Sequence, residues 1–188
     1  MKKTLLLLAA VAFAGSVGAQ QKMSWEEAYK KADEVISKLT TEEKVRMTQG
    51  YSEFFFNGVP EKGIPYVYLS DATQGVHIRT NLPASSTLNQ LEKSTAFPCP
   101  IMLSATFNPD LAYTYAKSVG EECRAGGVEV LLGPGINIYR DSQCGRNFEY
   151  FGEDPYLTSR MAEKYVAGMQ STGTAACMKH FVCNNLEF

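Results

Sequence analysis

Asn108 to Gly135 reads NPDLAYTYAKSVGEECRAGGVEVLLGPG, and this stretch decides the fold class. Asn108-Pro109 starts a helix, with proline at the first helical position where its missing N–H costs nothing. Leu111, Tyr115 and Val119 then fall on one face, and Gly126-Gly127 ends the element. Val128 to Leu132 follows as a short, continuous apolar run of β-forming residues, which predicts a buried strand, and Gly133-Pro134-Gly135 breaks it. A capped amphipathic helix feeding a buried strand is half of a βαβ unit.

The same alternation continues on both sides. Tyr66 to Leu69 predicts a strand, and Pro100 to Leu103 is a weaker strand candidate. Asp154-Pro155 opens a helix running to about Gly168, and Ala175 to Met178 predicts the next strand. Strands alternating with helices imply a parallel sheet, and both doubly wound sheets and (β/α)8 barrels fit. A nucleotide-binding doubly wound domain would need a phosphate loop. Gly133-Pro134-Gly135 is not that loop, because position 138 is Ile and Pro134 lacks an amide donor.

Upstream, Ser24-Trp25-Glu26-Glu27 is a capping box, followed by Ala28, Ala32, Val35, Ile36 and Leu39 at helical spacing. Thr40 to Glu43 repeats the cap, and that second helix is expected to stop at Gly50. At the start, Lys2 and Lys3 precede an apolar run from Leu5 to Phe13 and the small residues Val17-Gly18-Ala19. This is the composition of a secretory signal peptide, and its apolar run is too short to span a bilayer, which takes about 20 residues. The expected division is therefore a signal peptide at 1–19, a helical lead-in at 20–58 and the α/β part at 59–188. No membrane span is expected after cleavage, and the mature chain is expected in the periplasm or secreted.

Composition narrows the partners. The 188 residues carry a formal net charge of −2 and are 45% hydrophobic. Lys and Arg are scattered, which excludes the clustered basic surface that a nucleic-acid partner requires. Five cysteines without a CxxC pair, and no HExxH pattern, give zinc no support, and no cofactor is expected. The cysteines read mostly as buried free thiols, with at most one or two bridges.

Chemistry in a barrel gathers on the loops after the strands. Asp71 follows the strand at Tyr66, Asn137, Arg140 and Arg146 follow the strand at Val128, and Lys179-His180 follow the strand at Ala175. Carboxylate, guanidinium, ammonium and imidazole together suit a sugar, whose hydroxyls both donate and accept. Each residue also has a purely structural reading. Asp71 could cap a turn, Arg146 could pair internally with Glu149 or Glu153, Asp154 reads as a helix cap and Glu149 as structural.

The segment from Leu131 to Arg140, the run GRNFEYFGEDP from Gly145 to Pro155, and Lys179-His180-Phe181 with Asn184-Asn185 closely resemble the β-glucosidase branch of glycoside hydrolase family 3. Weaker matches are Ser70-Asp71 with Gly75-Val76, and Ala96-Phe97-Pro98. The resemblance implies an α/β fold, the N-terminal part of a (β/α)8 TIM-like barrel that is incomplete in this chain. It implies retaining hydrolysis of terminal β-linked sugars from an oligosaccharide or β-glycoside. By motif position it makes Asp71, Arg146, Lys179 and His180 binders of sugar hydroxyls. It adds His77 to that set, at a position where many members carry arginine, although imidazole lacks the guanidinium fork.

The nucleophile and the acid/base are expected beyond Phe188, so no catalytic residue is assigned here. Residues 20–188 alone, about half a barrel with open sheet edges, are expected to be poorly soluble and inactive. β-Xylosidase, β-N-acetylglucosaminidase and phosphorylase activities stay open within the family. A non-catalytic carbohydrate-binding remnant is the alternative outside it.

Overall fold

The computed structural model describes residues 23–52, 54–71, 73–77 and 91–187. The expected signal peptide lies outside them. The chain divides into two compact units, Met1–Lys44 and Val45–Phe188.

In the first unit, helix α1 spans Trp25–Ile36. Its capping box forms as the sequence predicts: the Ser24 hydroxyl accepts from Glu27 N at 3.2 Å, and the Glu27 carboxylate accepts from Ser24 N at 2.9 Å. Helix α2, Thr41–Met47, begins at the end of this unit and repeats the device through Thr40 and Glu43. It ends three residues before the expected Gly50.

The second unit is built on one five-stranded sheet in the order β1-β2-β3-β4-β5. Strands β1 (Gly50–Ser52) and β2 (Phe55–Phe56) form an antiparallel hairpin, and β2 pairs antiparallel with β3 (Val67–Asp71). The expected helical lead-in to residue 58 therefore contains a hairpin. Its strands are too short to show a period-two pattern, which is why the sequence does not announce them. From β3 onward the pairing is parallel: Leu69 sits opposite Val130 of β4 (Val130–Leu132), and Val130 opposite Ala175 of β5 (Ala175–Ala176). Three parallel strands side by side in chain order, with helices between them, form the N-terminal part of a (β/α)8-like barrel.

Between β3 and β4 lie helices α3 (Pro100–Ser104) and α4 (Pro109–Ala125), and between β4 and β5 lies α5 (Pro155–Ser171). Residues 100–103 are thus helical, not a strand. Pro100 occupies the first helical position and fixes its own φ, and Met102 N and Leu103 N both donate to Cys99 O. A four-residue apolar run alone does not separate strand from helix. The long helices are capped as expected: the Asn108 side chain accepts from Asp110 N and Leu111 N, and Asp154 accepts from Leu157 N at 2.6 Å.

The core lies between these helices and the sheet. From α4 it takes Ala112, Tyr115, Ala116, Val119 and Cys123; from α5 it takes Met161, Ala162, Tyr165 and Met169. The sheet adds Tyr68 and Leu131, and the loop before α5 adds Phe151. Small residues set the spacing. A Cβ built on Gly168 would stand 2.2 Å from Tyr113 O, so the two helices meet there backbone to backbone. All five cysteines are free, and only Cys123 and Cys144 are buried. Burial pushes the Cys123 thiol up to about 12.

Candidate functional site

The parallel strands deliver their polar residues to one end of the sheet. Asp71 is the last residue of β3. Beyond β4 and β5 the two loops stay tied by backbone bonds: Lys179 N donates to Pro134 O at 3.0 Å and Ile136 N to Lys179 O at 2.7 Å. The peptides Gly133–Pro134 and Lys179–His180 are cis. Gly135 must stay small here, because a Cβ on it would come within 2.6 Å of Glu149 O. That contact brings the carboxylate-bearing segment of residues 147–149 against the strand ends.

Glu149 is the hub. It is buried, its Oε2 accepts from Lys179 Nζ at 2.9 Å, and its Oε1 accepts from Arg146 Nε. Burial by itself would raise its carboxyl, but the hydrogen bonds and charges of Arg146 and Lys179 outweigh burial and hold it below the usual carboxylate range. Glu149 is therefore a fixed anion, a counter-ion and not a proton donor. Arg146 Nε also approaches Glu187 Oε2 at 3.5 Å, and its Nη2 lies 2.7 Å from His180 Nε2. Burial opposes the Arg146 charge, but the bond to Glu149 reverses that and raises its pKa.

Asp71, Thr73, Gln74, Gly75, Arg146, Phe148, Glu149 and Lys179 line a pocket of about 390 Å³. Asp71 is exposed, and among the described residues its carboxylate meets only the Lys179 ammonium, at 4.0 Å. Four charges face this space: the carboxylates of Asp71 and Glu149 and the cations of Arg146 and Lys179. Among the described residues that line the pocket the two signs are equal in number. What it offers is an acceptor pair on Asp71, donors on Arg146 and Lys179, the Gln74 amide and the exposed face of Phe148. A neutral, polyhydroxylated ring fits this set, since each hydroxyl can bond to a charged group without carrying charge itself.

The sequence-predicted residues divide. Asp71, Arg146 and Lys179 converge on the pocket. His180 touches Arg146 but does not line the pocket. His77 is exposed and also absent from the lining, and its backbone serves the strand instead: His77 N donates to Ser70 Oγ, and His77 O accepts from Tyr68 Oη at 3.1 Å. Arg140 is exposed outside the pocket, and Asn137 supports the Lys-His segment by accepting from His180 N at 2.8 Å. Sequence reasoning gave Glu149 only a structural part and passed over Tyr150, Phe148 and Gln74. The three-residue spacing of Arg146 and Glu149 is the signal that places those two on one side of a helical turn. Among the described residues no group of three or more His, Cys, Asp or Glu side chains could hold a metal ion.

Comparison with known proteins agrees with this fold. The profile described as "Glycosyl hydrolase family 3 N terminal domain" matches residues 60–185. Beta-glucosidase BoGH3A of Bacteroides ovatus is 42% identical over 158 residues, covering 84% of this chain and 21% of that protein. The exo-alpha-(1->6)-L-arabinopyranosidase of Bifidobacterium longum is 40% identical over 155 residues, covering 81% of this chain and 20% of its own length. The structure of beta-glucosidase 3B from Thermotoga neapolitana in complex with glucose superposes with a TM-score of 0.74 at 41% identity, covering 84% of this chain and 24% of that one. The chain spans about a fifth of the length of the curated relatives it matches.

Proposed function

The chain belongs to glycosyl hydrolase family 3, and from that premise we propose that it supplies the hydroxyl-binding part of a site that cleaves terminal sugars, β-glucosidase-like and retaining. Asp71 accepts hydrogen bonds from hydroxyls, and Arg146 and Lys179 donate to the hydroxyl oxygens. Phe148 offers an apolar face to the ring's C–H groups. One observation supports the reading: a pocket at the strand ends where, among the described residues, the Asp71 carboxylate meets only Lys179, at 4.0 Å, while Glu149 pairs with both Arg146 and Lys179.

Retaining hydrolysis needs a second pair of groups, a nucleophilic carboxylate and an acid/base about 5–5.5 Å from it. Glu149 cannot be the acid, being held ionised by Arg146 and Lys179. Asp71 faces the sugar's hydroxyls in this reading, so neither carboxylate of the pocket is assigned to bond cleavage. The 188-residue chain on its own then turns over no glycoside.

The relatives include a β-glucosidase and an exo-alpha-(1->6)-L-arabinopyranosidase, and the matching Thermotoga neapolitana structure holds glucose. Glucose is the first sugar to try. Hydrolysis of a chromogenic β-glucoside by the protein expressed from its complete reading frame tests the reading. Asp71→Asn is expected to lower kcat/KM at least tenfold, and an unchanged value would remove Asp71 from the site. Export is part of the same proposal, resting on residues 1–19. The N-terminal sequence of the mature protein is expected to begin near Gln20.

A further inference from the structure

The loop after β3 is clamped from several sides around one residue of the pocket lining, Gln74. Gln74 O accepts from Phe97 N at 2.8 Å, and Thr73 O accepts from the Tyr115 hydroxyl of α4 at 2.9 Å. On the other side Gly75 has a φ of +131°, and a Cβ built on it would stand 2.3 Å from Thr95 O. Thr95 is itself tied to α4, its N–H donating to Glu122 Oε2 at 3.0 Å. Thr73 and Val76 are buried, so the backbone that carries Gln74 is fixed before a ligand arrives.

Gln74 is half-buried beside Asp71, and among the described residues its side-chain amide has no hydrogen-bond partner. It differs in kind from the four charged groups around it. A carboxylate only accepts and a guanidinium or ammonium only donates, whereas a carboxamide does both. One amide can therefore accept from a ring hydroxyl through Oε1 and donate to the neighbouring hydroxyl through Nε2.

We propose that Gln74 is a specificity-determining residue, whose amide bonds hydroxyls of the terminal sugar next to those held by Asp71. The proposal rests on the sugar-binding reading of the pocket. A substrate lacking such a hydroxyl leaves a half-buried amide unpaired, and a polar site rejects an analogue for that reason.

The test uses the protein from its complete reading frame and a series of chromogenic β-glucosides, the parent and its 2-, 3-, 4- and 6-deoxy forms. Gln74→Leu keeps much of the side chain's bulk and removes both polar atoms. It is expected to lower kcat/KM on the parent about tenfold. On one or two deoxy substrates, those missing the hydroxyls that the amide meets, the loss is expected to shrink below about twofold. Each ratio compares two proteins on one substrate, so the substrate's own reactivity cancels. A loss of equal size on every substrate would mean that Gln74 only shapes the loop, and would overturn the proposal. An unchanged kcat/KM on the parent would overturn it too. Asp71→Asn separates the two levels of the argument. If it lowers kcat/KM and Gln74→Leu does not, the proposal alone fails. If neither change matters, or none of the glucosides is cleaved, the sugar-binding reading fails and the proposal with it.

Discussion

The helix pair α4–α5 and the polar end of the sheet are assembled in opposite ways. The helices meet through small and apolar residues, with Gly168 against the Tyr113 backbone and Tyr165 and Met169 fully buried. The sheet end is held by ions: Glu149, Arg146 and Lys179, fixed by hydrogen bonds from loops 30 and more residues apart in the chain. The first region obtains stability from area removed from water. The second accepts buried charge and gains a shaped, balanced surface instead. Substitutions in the two regions should therefore separate stability from binding.

The largest effect belongs to the core. Leu131→Ala, in β4 and fully buried, is expected to cost about 3–4 kcal/mol in urea unfolding, with glucose affinity of the folded protein unchanged. Glu149→Ala strands two cations and is expected to cost about 3 kcal/mol while also abolishing measurable glucose binding. Equal affinity losses in the two variants would erase the contrast between the regions. Asp71→Asn sits at the other extreme: it should change stability by less than about 0.5 kcal/mol, since the side chain is exposed and its partner among the described residues lies 4.0 Å away. Its cost should appear in affinity, about 10- to 100-fold for a lost hydrogen bond to a charged group.

Acid should attack the polar end first. The folded pKa of Glu149 is depressed, so its contribution is complete above the unfolded value of about 4.3 and is lost as pH falls through the folded one. His180 is also depressed, so its neutral form contributes above about 6.5 and that contribution fades as pH falls. Both signs agree: urea midpoints should decline from about pH 6.5 downward. A gain in stability is expected back in the helix pair. Tyr165 Oη is buried without a partner among the described residues, so Tyr165→Phe should raise stability by about 1 kcal/mol.

The same division explains what could be read from the sequence. Helix caps act over three residues, so Ser24, Thr40, Asn108 and Asp154 announced themselves, and all four cap in the structure. The strand ends carried Asp71, Arg146 and Lys179 to the pocket because the order of β3, β4 and β5 follows the chain. Short apolar runs were ambiguous: Pro100–Ser104 turned out helical and Phe55–Phe56 a strand, and neither is long enough to show a period. Position in a motif also said nothing of which way a ring faces. His77 and His180 were both read as binders of sugar hydroxyls; in the structure His77 is exposed and the His180 ring meets Arg146 and Tyr150. Tyr150 becomes meaningful only once its hydroxyl is seen to meet His180, 30 residues away, and to accept from Asn184, 34 residues away.

The central claim is that Asp71, Arg146 and Lys179 together hold the sugar. Crystals of the protein from its complete reading frame, soaked in glucose, test it most directly. The account predicts a pyranose in the pocket with its hydroxyls within hydrogen-bond distance of the Asp71 carboxylate, the Arg146 guanidinium and Lys179 Nζ. A sugar bound elsewhere, or one seated here with Asp71 turned away from it, would contradict that claim.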